Sequence, residues 1–207
     1  MKILNTMKNE FEEIRKSKYF KYIVALGIIK KVILLVMFLV PLLSFSQELV
    51  IGEERVEPGI ILIFEGAIKD HVTPISMHLS ESLTNVHIEA RVNWDKKNIP
   101  KGTPPGGFVP YLHITATISN QNSGYQTFID LKPHINLIDN FHYARNISLP
   151  GSINDLYTVQ FNITSPTEID LATHQDWFRK YGEKLLSNHV FKYKDINFKE
   201  IAEAIRD

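Results

Sequence analysis

From Gln47 onward, apolar and polar residues alternate in short runs separated by clusters of Gly, Pro, Asn and Asp, a pattern of strands with one buried face. Between Asn85 and Trp94 the residues Val86, Ile88, Ala90, Val92 and Trp94 share one face, and His87, Glu89, Arg91 and Asn93 share the other. Val109–Ile118 places Leu112, Ile114, Ala116 and Ile118 together, and Leu156–Thr164 does the same with Tyr157, Val159, Phe161 and Ile163. Further strands are expected at Leu49–Val56, Ile60–Gly66, Tyr125–Leu131, Tyr143–Leu149 and Asn188–Lys194. About eight such strands are enough for two packed sheets, so the pattern predicts an all-β sandwich.

Two stretches depart from that pattern. After Asp170, Trp177, Phe178, Tyr181 and Leu185 recur at helical spacing, and Phe198, Ile201, Ala202 and Ile205 make a short amphipathic helix at the C-terminus. At the other end, Lys30-Lys31 precedes the unbroken apolar run Val32–Leu43, and Ser44-Phe45-Ser46 supplies the small residues that a signal peptidase reads before Gln47. The run is short of the roughly 20 residues that cross a bilayer, so it reads as a cleaved export signal, with an uncleaved membrane anchor as the alternative. The chain therefore divides into residues 1–46, an N-terminal extension plus signal, and residues 47–207, the sandwich.

Charge and composition narrow the function. Removing residues 1–46 takes away eight of the 23 Lys/Arg and three of the 23 Asp/Glu, which leaves the exported part at −5, and an acidic product argues against nucleic acid. The absence of cysteine excludes disulfides, thiolate zinc sites and iron–sulfur clusters. A metal here must be held by His, Met, Asp or Glu, which makes the eight histidines the most informative residues. No Gly-rich phosphate loop, Gly-x-Ser-x-Gly elbow or His-Glu-x-x-His is present, so no catalytic activity is expected, although cycling of a bound metal between oxidation states stays open.

His87 and Glu89, two apart on one strand, leave the same face and can share an ion, but that face also reads as plain solvated surface continued by Arg91 and Asn93. Pro133-His134 and Asp139-Asn140-Phe141-His142-Tyr143 place two more histidines in a segment that reads as loop-rich. His174 follows the Ser165-Pro166 break. His71, His78, His113 and His189 read as ordinary surface or packing histidines, with Met77-His78 the one pair of adjacent donors among them.

In order, these segments resemble the periplasmic high-affinity iron-transport protein family, small exported proteins associated with ferrous-iron permeases. The resemblance runs from about Ile60 to Lys194. That family reads Asp-Ile-His-Leu-Glu-Ala where this chain has Asn85-Val-His-Ile-Glu-Ala90, and Trp-Ile-Pro-Tyr-Leu-Thr-Ile where it has Phe108-Val-Pro-Tyr-Leu-His-Ile114. It reads Pro-His-Tyr-Gly-Ala-Asn where this chain has Phe141-His-Tyr-Ala-Arg-Asn146, and a late His-x-Asp at His174-Gln-Asp176. The resemblance implies an immunoglobulin-like sandwich, a periplasmic homodimer that serves a membrane iron permease, and a site for copper or iron at His87, Glu89, His142 and His174.

The family's Phe-Met-Pro-Met stands here as Leu131-Lys-Pro-His134, so His134 replaces a methionine ligand. Imidazole suits Cu(II), Fe(II), Ni(II) and Zn(II), so the exchange weakens a cuprous preference and admits zinc. Tyr143, Arg145 and Asp176 are candidates for orienting the ligand rings. A non-catalytic adhesion or interaction sandwich with incidental surface histidines is the competing reading.

Overall fold

The structure, a computed structural model, describes residues 48–205 and, before them, Met7, Glu12, Arg15, Tyr22, Leu26, Lys30 and Lys31. The chain forms two compact units, Met1–Ser46 and Gln47–Asp207. In the first, the seven described residues are helical, and the apolar run of the expected export signal lies outside the described residues. No helix among the described residues is long and apolar enough to cross a membrane.

The second unit is the predicted eight-stranded all-β sandwich. Its strands are β1 (Glu48–Val56), β2 (Ile60–Ala67), β3 (Val86–Trp94), β4 (His113–Asn120), β5 (Gln126–Asn136), β6 (Asn140–Ile147), β7 (Leu156–Thr164) and β8 (His189–Asn197), with α1 (Gln175–Tyr181) before β8 and α2 (Lys199–Glu203) after it. The strands pair antiparallel in the order β1-β2-β3-β6-β5-β4-β7-β8. One layer is β1, β2, β3 and β6, and the other is β4, β7 and β8. β5 belongs to both, since residues 126–131 pair with β4 and residues 132–136 with β6. The outer strands β1 and β8 approach where Tyr193 lies over Gly52, a position at which any Cβ would collide with its ring, and Tyr193 Oη donates to Glu54 Oε1 at 2.9 Å.

The alternation places the core. Val86, Ile88, Ala90 and Val92 on β3, Ile114, Ala116 and Ile118 on β4, and Tyr157, Val159 and Phe161 on β7 are fully buried. Each large aliphatic or aromatic side chain removed from water contributes about 1.5–3 kcal/mol. The rings of Phe64 and Phe161 stack at 4.1 Å and join the two layers.

Three local expectations change. Val109–Leu112 is not strand, because Pro110 has no N–H to give a ladder and Tyr111 turns the chain at φ +66°. The helix after Asp170 ends at Tyr181, where Gly182 takes φ +87°, so Leu185 packs into the core from beyond it. The segment holding His134 and His142 is a β-hairpin and not a loop, because Asn136 Oδ1 accepts the N–H groups of Ile138 and Asp139 and Asn140 takes φ +61°. Pro133 is tolerated there because β5 has lost β4 as a neighbour and one flank is unpaired.

Candidate metal centre

Two pieces of backbone bring the donors together. The two-residue period of β3 sends His87 and Glu89 out of the same face, and the β5–β6 hairpin sets His134 directly opposite His142. The segment between β2 and β3 then lies against this face, and Asn146 on β6 fixes it by donating from Nδ2 to the carbonyls of Asp70 (2.8 Å) and Leu79 (2.9 Å). At His87 and Glu89 the polar face of β3 is consequently buried rather than solvated, 4% and 3% exposed, while Arg91 and Asn93 are only half-buried; His142 on β6 is 2% exposed.

His87, His134 and His142 can each present one ring nitrogen so that all three lie within 4.8 Å of one another. Glu89 Oε1 stands 3.5 Å from His87 Nε2 and 3.9 Å from His142 Nε2. The tautomers follow from the remaining hydrogen bonds. Both amide hydrogens of Asn146 go to carbonyls, so its Oδ1 is an acceptor, and His87 Nδ1–H donates to it at 2.6 Å. His142 Nδ1–H donates to the carbonyl of Asn140 at 3.1 Å. In their neutral form both rings therefore turn an Nε2 lone pair toward the Glu89 carboxyl.

Lone pairs of two imidazoles and a carboxyl oxygen crowded at these distances need a proton or a cation between them. His134 Nε2 and Glu89 Oε2 are also screened from solvent and have no hydrogen-bond partner. Burial makes the need stronger. It pushes the Glu89 carboxyl up to about 8, reinforced by Asp139, Glu48 and Glu65 and opposed by Arg91. Burial likewise lowers His134 to about 3, helped by His87, His78, His142 and Arg145, and lowers His142 against the pull of the Asn140 carbonyl. The imidazoles of His134 and His142 are thus held neutral and ready to coordinate, and the carboxyl carries a proton that a cation can displace. Nitrogen and carboxylate donors without thiolate fit a borderline divalent ion such as Cu(II), Fe(II) or Zn(II).

An ion-pair network sits behind Glu89. Arg91 donates to Glu65 Oε1 at 2.6 Å and lies 3.6 Å from Glu48 and 3.8 Å from Asp139. Glu65 is fully buried beside Glu89 in the β2–β3 register, so Arg91 offsets part of the acidic charge that pushes the Glu89 carboxyl up.

Of the five residues expected to bind metal, the structure brings together His87, Glu89, His134 and His142. His174 stands elsewhere, exposed at the N-cap of α1 beside Trp177 and Leu185. Asn146, and not Tyr143, orients a ligand ring; the Tyr143 hydroxyl instead donates to the Val109 carbonyl and accepts from Leu112 N–H in the core. Sequence reading also passed over His78, whose ring lies edge-on to His134 at 5.0 Å. The adjacent donors Met77 and His78 were the available signal, and both line the same pocket as His87 and Glu89.

Residues 45–200 match the family described as Fe2+ transport protein. Among solved structures, the copper-reconstituted P19 protein of Campylobacter jejuni is 25% identical with a TM-score of 0.60, covering 72% of this chain and 95% of that one. FetP of uropathogenic Escherichia coli strain F11 is 21% identical with a TM-score of 0.59, covering 73% of this chain and 96% of that one, a likeness of fold. The 34 kDa membrane antigen of Treponema pallidum (strain Nichols) is 28% identical over 136 residues, 63% of either chain. The match thus spans less than two thirds of that relative.

Proposed function

Because this chain belongs to the Fe2+ transport protein family, we propose that it is an exported, periplasmic metal-binding protein of iron uptake that holds a copper- or iron-type ion through His87, His134, His142 and Glu89 and serves a membrane iron permease. The observation that carries this reading is the convergence of three imidazoles on one buried carboxyl, with the Nδ1 atoms of two of those rings engaged by hydrogen bonds away from the site. The copper-bound state of the P19 relative supports copper as one occupant. With His134 where the resembling family has methionine, the donor set favours Cu(II), Fe(II) or Zn(II) over Cu(I).

The protein acts as a homodimer in this reading. His174 is exposed and apart from the four donors of its own chain, so a second copy is the natural source of a late histidine for the site. Its role is binding and delivery, not turnover.

Titration of the purified protein with Cu2+, Zn2+ and Fe2+ tests the proposal. The H87A/H142A double variant is expected to bind each ion at least roughly 100-fold more weakly, since loss of two ligands exceeds the roughly 10- to 100-fold that loss of a partner behind a ligand costs. Equal affinity of the double variant and the parent protein would remove the site. Light scattering with and without His174→Ala tests the dimer and its contribution.

A further inference from the structure

Beyond the four donors, the pocket holds another imidazole. His78 follows a short 3-10 turn, Ile75–Met77, in the segment between β2 and β3, and its ring meets that of His134 edge-on at 5.0 Å. His78 Nδ1 is screened from solvent without a hydrogen-bond partner, and so is His134 Nε2 on the neighbouring ring. Yet His78 is not part of the set of imidazoles that can close around one point, which is limited to His87, His134 and His142. His78 cannot, as placed, complete that set, although it faces one of its members.

The donors are graded by depth. His87, His142 and Glu89 are buried, His134 and His78 are half-buried, and Met77 and His71 are exposed on the same pocket. The segment carrying His78 is held at both ends by the Asn146 amide, through the carbonyls of Asp70 and Leu79, and the same Asn146 orients His87. His78 is therefore held in fixed relation to the inner donors.

We infer that His78 and His134 form an outer, two-imidazole station for a borderline divalent cation, which receives the ion below the exposed rim of the pocket and passes it inward to His87, His142 and Glu89. His134 belongs to both stations, so the ion moves by exchanging one ligand at a time and is never bare. No electron needs to move in the exchange. The inference rests on the metal-binding reading above and adds an order of loading to it.

Stopped-flow loading of the full-length protein with Cu2+ tests it, with H78A and H78Q against the parent and H87A as the control for the inner station. Both His78 variants are expected to load roughly tenfold more slowly, by analogy with the low end of the roughly 10- to 100-fold in affinity or activity lost with a residue outside the ligand set. The final Cu(II) absorption and paramagnetic resonance spectra should match those of the parent. H78Q, which keeps a polar side chain of similar reach, supplies the answer if H78A unfolds. Loading at the parent rate would overturn the inference and leave His78 a packing residue. A final spectrum with one nitrogen fewer would also overturn it, because His78 would then be a ligand of the finished complex. If H87A binds like the parent, with an unchanged spectrum, the inner site itself fails whatever His78 does.

Discussion

His87 donates its Nδ1 proton to Asn146 Oδ1 across 2.6 Å, and the same Asn146 anchors the chain segment that covers the site. One side chain thus sets the tautomer of a ligand and the position of the cover. Asn146→Ala should lower metal affinity by roughly 10- to 100-fold. It should also cost the metal-free protein about 1–3 kcal/mol, because buried polar partners are left unpaired. Calorimetric metal titration and urea unfolding measure the two effects, and unchanged affinity would deny Asn146 its role in orienting His87.

The fall of stability with pH that Glu89 causes should be lost on metal binding. The Glu89 carboxyl titrates at about 8 in the fold against 4.5 as its ordinary value, so the folded chain holds a proton that the unfolded chain has lost, and stability falls as pH rises between those values. His134 acts the other way lower down. It stays neutral to about 3 in the fold but is protonated below 6.5 when unfolded, so stability rises with pH between 3 and 6.5. From pH 6.5 to 8 the carboxyl dominates the site, and the metal-free melting temperature should fall. Zn2+ takes the place of the Glu89 proton, so the stabilisation it gives should grow over the same interval. Glu89→Gln should flatten the metal-free trend; a melting temperature that instead rises from pH 6.5 to 8 without metal would contradict a protonated Glu89.

Arg91 holds the acidic groups behind the site. Arg91→Met leaves the fully buried Glu65 without its closest cation and should destabilise the fold by about 3 kcal/mol at neutral pH. Adding Glu65→Gln should restore much of the loss. Chemical denaturation of both variants measures this, and a double variant no more stable than the single one would place the effect of Arg91 elsewhere.

Tyr143 is adjacent in sequence to His142 yet serves the core. Its hydroxyl satisfies the Val109 carbonyl and Leu112 N–H, so Tyr143→Phe should cost about 1–3 kcal/mol while leaving metal affinity unchanged. Thermal unfolding with a parallel Cu2+ titration separates the two, and weakened binding at unchanged stability would reverse the assignment.

The alternation along β3, β4 and β7 was enough to specify an all-β sandwich, because a two-residue period with one greasy face has few ways to bury itself. His87 and Glu89 were legible as a pair for the same reason. The pairing of His134 with His142 was not, since Pro133 and the Asn-rich turn read as loop, and only the passage of β5 from one layer to the other leaves a flank where proline fits.

What the sequence determined by itself were the local quantities: which residues alternate, where turns interrupt them, and that any metal must be held without thiolate. Tertiary structure decided which polar face is buried, because the covering segment, Asn146 and His78 reach the site from positions far apart in the chain. The charge state of Glu89 was decided the same way. Its carboxyl has an ordinary affinity for protons in an open strand and an altered one only when it is buried beside three other acidic groups.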